Sequence, residues 1–225
     1  MEEHEPAGGT ARSSAPEPVA LAGDNATARR RRGLAGLVGV LLFGAAAGGV
    51  AGLIGGRIAG LVAGGVVALP LLYVVIYNMR RRVWIEGSEL IVRTWRSRRI
   101  DLVTAGRIDL LVTEVRGART VALLVNAGQR RAAVKVDIAM YTGTTGRELG
   151  VLALRRLADA VIDNTVANGM IFAELLIAQL RAEARGVGPA ARPLYRLASA
   201  APAGKLAQRF TMDAVSRFVA ELEET

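Results

Sequence analysis

The chain has 225 residues, a net charge of +9, 52% hydrophobic residues and no cysteine. Without thiols there are no disulfides, thiolate nucleophiles or cysteine-held metals, and a lone histidine, His4, excludes Ser-His-Asp, Cys-His and His-rich metal chemistry. The charge is uneven: residues 1–28 carry five acids against Arg12, residues 79–148 carry 14 Lys/Arg against 7 acids, and the last third is near balance. Only Lys135 and Lys205 are lysines, so part of the arginine excess reads as the codon bias of a GC-rich coding sequence.

Residues 1–32 read as a disordered cytoplasmic tail: Pro-, Gly-, Ala- and Glu-rich to residue 28, then the cluster Arg29–Arg32. Two apolar blocks follow, Leu34–Ile54 and Ile58–Asn78, separated by Gly55-Gly56-Arg57, inside a segment 33–79. Each is long enough for a helix to cross about 30 Å of hydrocarbon. The short junction predicts a transmembrane helical hairpin. The arginines before and after it, against Arg57 alone at the far turn, predict both termini in the cytoplasm and a multi-pass protein of the plasma (inner) membrane. A twin-arginine export signal shares the arginines and the Ala45-Ala46-Ala47 stretch, but the apolar run continues past it into a second span.

Gly44, Gly48, Gly52, Gly60 and Gly64 recur every four residues within the spans, a spacing that lets helices approach closely. We expect them to pack the two spans on each other. Homo-oligomeric packing, and with it a glycine-packed channel or transport-accessory protein, is the alternative. Pro70 predicts a modest kink, and Tyr73 and Tyr77 before Arg80–Arg82 predict an interfacial aromatic belt.

From residue 83 the period is two. Strands are expected at Val83–Glu86, Glu89–Trp95, Arg98–Leu102, Ile108–Val115, Arg119–Asn126 and Arg130–Ile138, with Gly87-Ser88 as a tight turn. Tyr141–Glu148 reads as a loop into a helix, with Thr145 and Glu148 at capping-box spacing, and the helix runs to about Ile162 along Val151, Leu154, Leu157, Ala158, Val161 and Ile162. Further amphipathic helices are expected at 170–185 and 205–223, joined by a Pro/Ala-rich connector.

The stretch Glu86-Gly87-Ser88-Glu89-Leu90-Ile91-Val92-Arg93, the arginine-rich turn Arg96–Ile100, further strands and a closing helix after Glu148 resemble bacterial PH-like domains, which are common in small actinobacterial membrane proteins. The resemblance covers about Arg80–Asp163; many family members carry Pro-Trp where this chain has Asp101-Leu102. It implies a partly open antiparallel barrel closed by a C-terminal helix, and binding rather than catalysis. The expected whole is a membrane α-helical hairpin plus an α+β soluble domain: PH-like over 80–163, then amphipathic helices over 164–225.

Three constellations bear on function. Arg80, Arg81, Arg82, Arg93, Arg96, Arg98 and Arg99 would dock the domain on anionic lipid headgroups, each adding about 1 kcal/mol if close to the surface. Gly143-Thr144-Thr145-Gly146 before a helix would offer amides to a phosphate but lacks a nucleotide-loop ending, so it reads as a cap and turn. Asp101, Asp109, Asp137, Asp159 and Asp163 have no paired spacing for acid–base or metal work. We therefore expect a non-enzymatic protein without cofactor, not a nucleic-acid binder, that scaffolds or regulates a protein partner. Phe172, Leu175, Leu176 and Leu180 are its candidate partner surface, with packing on the domain as the competing role.

Overall fold

A computed structural model describes residues 17–21, 26–128, 133–202 and 206–223. Residues 1–16 and 22–25 of the expected tail, and 130–132 at the start of the sixth expected strand, lie outside the described residues. The longest element, α1 (Ala26–Arg80), is by length and composition a candidate to cross a membrane. It begins before the Arg29–Arg32 cluster, which therefore belongs to its first turns.

At Gly56 the helix breaks, with φ 80° and ψ −179°. This is a conformation that glycine adopts freely and that side chains with a Cβ resist. The chain turns back there. In an unbroken helix residues 48 and 60 would stand about 18 Å apart. Here a Cβ on Gly48 would lie 2.8 Å from the carbonyl oxygen of Gly60, and one on Gly60 would lie 2.6 Å from that of Gly48. The same antiparallel register brings Gly44 against Gly64 and Ala68, Gly52 against Gly60, and Gly36 against Val75. The glycine spacing thus serves packing of the two arms, 26–55 and 57–80, on each other.

The arms rejoin the domain side by side. Residues before the hairpin form β1 (Val19–Ala20), which pairs antiparallel with β2 (Arg82–Glu86) immediately after it. The Leu21 amide donates to the Val83 carbonyl at 2.9 Å, and the Leu21 side chain is buried in the domain core. Residues 19–21 are therefore part of the fold, and the expected tail is shorter than the composition suggested. With β3 (Glu89–Arg93) and β4 (Ser97–Asp101) they complete a four-stranded sheet in the order β1-β2-β3-β4.

The second sheet holds β5 (Arg107–Val115), β6 (Ala118–Asn126), β7 (Val134–Thr142), β8 (Thr145–Glu148) and β9 (Ala207–Phe210), in the order β8-β7-β6-β5-β9. β7 continues past Ile138 because a bulge there shifts its register against Val121 and Ala122. Val134, Val136 and Ile138 face the core before the bulge, and Ala139 and Tyr141 after it. The extra residue flips the alternation, as one inserted residue must.

The expected loop-to-helix at 141–148 is instead the end of β7, a turn and β8. Thr145 makes no cap; its hydroxyl donates to the Thr142 carbonyl at 3.0 Å. Helix α2 (Val151–Ile162) buries Leu154, Leu157, Ala158 and Val161 and leaves Val151 and Ile162 exposed. Helix α3 (Gly169–Ala184) packs on α2. The expected connector contains a 3-10 turn, Pro189–Ala191, and helix α4 (Pro193–Ala200), which buries Leu194, Leu197 and Ala198. In place of one helix over 205–223 there are β9, paired to β5, and α5 (Met212–Glu223), which buries Val215 and Val219. Both sheets and α2 to α5 share one hydrophobic core.

A single buried amide ties the sheets to the helices. The Asn164 side chain donates to the carbonyls of Leu102 (2.6 Å) and Ala105 (2.9 Å) and accepts from the Ala167 amide (2.7 Å). It thereby locks the β4–β5 connection onto the α2–α3 turn. Asn164→Ala strands two carbonyls and an amide, and should cost about 3 kcal/mol or more in chemical unfolding of the domain. Asn164→Asp should also destabilise, because a carboxylate would face two carbonyl oxygens.

The arms generate a second prediction. An ideal Cβ on Gly36 lies 3.9 Å from the Cβ of Val75, within disulfide range. In this cysteine-free chain, a Gly36→Cys, Val75→Cys pair should oxidise to an intramolecular disulfide. Adding Gly48→Leu should suppress it. Adding Gly49→Leu, where a Cβ meets nothing within 4 Å, should not.

Candidate functional site at the foot of the arms

The strand register converts the arginine positions into an ordered face. Arg82 lies opposite Arg93, and Arg93 opposite Ser97; Trp84 lies opposite Ile91, and Ile91 opposite Arg99; Glu86 lies opposite Glu89, and Glu89 opposite Asp101. Residues directly opposite project to the same side of a sheet, and successive rows here step by two, so these three rows share one face. Its end nearest the arms is arginine and its far end, about 13 Å along the strands, is carboxylate. Arg99 in the middle row reaches Glu89 at 3.0 Å.

Arg98 projects to the opposite side, in register with Val92, and is exposed. Arg80, Arg82, Arg93 and Arg96 are exposed as well. Arg81 has a different task. Its guanidinium donates to the Lys135 carbonyl at 2.6 Å, tethering the foot of the second arm to β7. The two lie on a cleft of about 600 Å³ between that foot and the β7–β8 edge, which Gly36, Val75 and Met79 also line. The seven sequence-predicted arginines thus divide: five exposed around the foot, one ion-paired on the face, one structural.

The turn between β3 and β4 adds a residue that the sequence did not single out. The Trp95 ring stacks nearly parallel on Tyr73, 6.4 Å between centroids and 5° between planes. The Arg80 guanidinium lies 4.7 Å from the Trp95 ring centroid, a cation–π distance. Tyr73 in turn contacts Tyr77 at 6.4 Å. Tyr73, Tyr77 and Arg80 fall at i, i+4 and i+7, one face of the second arm, and Trp95 closes onto that face from the sheet. Trp95 stays 54% exposed and Tyr73 57% exposed.

The proposed partner surface is corrected by the packing. Phe172, Leu175 and Leu176 are buried in the domain core, and Leu180 packs against it. Their helix is covered by α2, α4 and α5, so the apolar stripe is used inside the molecule. Outside the arms, Ile162, Val166 and Met170 at the α2–α3 turn remain exposed.

The Gly143–Gly146 segment is a strand turn with no helix start behind it, so it offers no amide cradle of the kind its sequence suggested. Asp101 caps its own loop, accepting from the Val103 amide at 3.1 Å and the Thr104 hydroxyl at 3.0 Å. Asp109 lies between Arg107 (2.9 Å) and Arg209 (3.6 Å), joining β5 to β9.

Behind the cleft, the Tyr141 hydroxyl donates to Glu148 at 2.7 Å, and the other Glu148 oxygen takes the Arg192 guanidinium. Tyr195 packs edge-on to the Tyr141 ring at 5.2 Å. Comparison with protein-family models, curated proteins and solved structures returned no match.

Burial, and then the hydrogen bond to Glu148, push the Tyr141 phenol well above the usual tyrosine range. The protonated phenol is favoured in the fold, so its contribution to stability is complete below the unfolded value of about 10 and declines as pH rises beyond it. In an alkaline absorbance titration, Tyr141 should stay protonated until the domain unfolds. Tyr141→Phe should remove that late step.

Proposed function

We propose that the chain is a non-enzymatic integral membrane protein whose arms cross the bilayer as a hairpin with both termini cytoplasmic. Its α+β domain is a PH-like binding module held at the inner face, where it scaffolds or regulates a partner. The observation that carries this reading is the ordering of charge on the β2–β4 face, arginine at the end joined to the arms and carboxylate at the end remote from them.

Several features support it. Leu53, Ile54 and Ile58 are 80–90% exposed around the Gly56 turn, an apolar surface that water does not tolerate at this extent. Arg80–Arg82 and Arg29–Arg32 flank the same end of the hairpin, the asymmetry expected of a cytoplasmic side. Arg82 directly opposite Arg93 is unfavourable in plain solvent, because like charges across a strand pair repel. An anionic surface turns that cost into attraction. The antiparallel sheets over a shared core with a helix after β8 agree with the PH-like resemblance, although a fold does not by itself dictate a function.

The test removes the arms while keeping β1 with β2. Leu21 and Val83 are hydrogen-bonded neighbours, so a short Gly-Ser linker in place of residues 22–80 can join the two strands. This soluble domain should sediment with liposomes rich in anionic lipid and much less with neutral ones, and the binding should fade with salt. Arg93→Glu, Arg96→Glu and Arg98→Glu together should weaken it on the order of a hundredfold or more. Equal binding to neutral and anionic liposomes, or none to either, would sink the reading.

A further inference from the structure

We infer that the β3–β4 turn is a membrane-interface anchor: Trp95 inserts beside Tyr73 at the boundary between lipid headgroups and acyl chains. This rests on the reading that the arms cross the bilayer, and it assigns to the turn a contact that does not depend on anionic lipid.

The geometry fixes the depth. Tyr73 precedes Arg80 by seven residues, about 10 Å up the helix axis toward the hydrocarbon. The turn at 94–96 lies against the arm, so that the Trp95 ring meets both the Tyr73 ring and the Arg80 guanidinium. With Arg80 among the phosphates, Tyr73 and Trp95 occupy the layer just below. Trp and Tyr favour this layer because a large apolar ring and a polar N–H or O–H are satisfied there together.

Exposure points the same way. Trp95 is more than half exposed at the tip of a turn. Here it is continuous with the apolar surface of the second arm, where Leu69 and Tyr73 are exposed too. The chain's other tryptophan, Trp84, sits in the middle row of the same sheet and is only partly exposed. Lipid is therefore the occupant that completes the surface around Trp95, and the contact fixes the tilt of the domain. The Arg81 bond to the Lys135 carbonyl ties the foot of the second arm to β7, and immersion of Trp95 adds a further restraint on the same domain.

The two tryptophans make the depth measurable in the full chain. Trp84→Phe leaves Trp95 as the sole tryptophan. Reconstituted in neutral phosphatidylcholine bilayers, this variant should emit at blue-shifted wavelength. It should lose most of its intensity when bromines are carried high on the acyl chains, less when they are carried near the chain ends, and little to aqueous acrylamide. If Trp84→Phe does not fold, the difference between the native chain and Trp95→Phe reports the same quantity. A companion, Trp84→Phe with Trp95→Phe and Leu69→Trp, reads the arm itself. Quenching at position 69 with Trp95 quenched only by acrylamide would overturn the anchor while leaving the transmembrane reading intact. No lipid quenching at either position would overturn both.

Discussion

The close approach of two backbones along Gly44, Gly48 and Gly52 on one arm and Gly60 and Gly64 on the other is the constraint from which the architecture follows. Only without Cβ atoms can the carbonyls of Gly48 and Gly60 lie so near the opposing chain. That contact sets the antiparallel register, and the register returns the chain after Arg80 to the place it left at Leu21. β1 can then pair with β2, Leu21 can enter the core, and the first sheet hangs directly beneath the arms. The turn of the next strand pair then lies against the second arm, at Tyr73.

Charge is sorted by the same sheet. Since β2, β3 and β4 run alternately away from and toward the arms, residues far apart in sequence are collected into rows by distance from the foot. Arg82, Arg93 and Ser97 fall in the near row, and Glu86, Glu89 and Asp101 in the far one. β2 and β3 each carry arginine at the near end and glutamate at the far end, and antiparallel pairing sets these like ends side by side. The middle row is neutralised locally, with Arg99 on Glu89. Such a face presents opposite signs at its two ends, which gives a charged surface a preferred end to meet.

What could be read in the sequence was what is local. Uncharged blocks of some twenty residues, glycines at every fourth position and period-two alternation each depend on near neighbours, and the apolar helical element, the glycine contacts and most strands lie close to where they were expected. What escaped depends on distant partners. β1 is two residues long and exists only because β2 lies beside it, and β9 only because β5 offers an open edge. The bulge at Ile138 reverses a pattern that looked complete. Helix α4 lies within Pro- and Ala-rich sequence whose few large apolar residues hide its buried side. Phe172, Leu175 and Leu176 formed a legible apolar stripe, but periodicity says only that a face is covered, not by what. Trp95 read as the end of a strand, and its role emerged only when the turn met Tyr73.

On the proposed hairpin topology, the pairing of β1 with β2 makes the folded domain a test of how the chain is threaded through the bilayer. A polypeptide in which just one arm had crossed would leave these two strands on opposite sides of the lipid, unable to find each other. Leu21 would then be missing from the core, and β2 would be left as an open sheet edge prone to pairing with other chains. In that topology, correct insertion and correct folding are linked without any chaperone having to inspect the helices. A misthreaded copy would announce itself through an unfinished domain, the kind of exposed surface that quality-control proteases recognise.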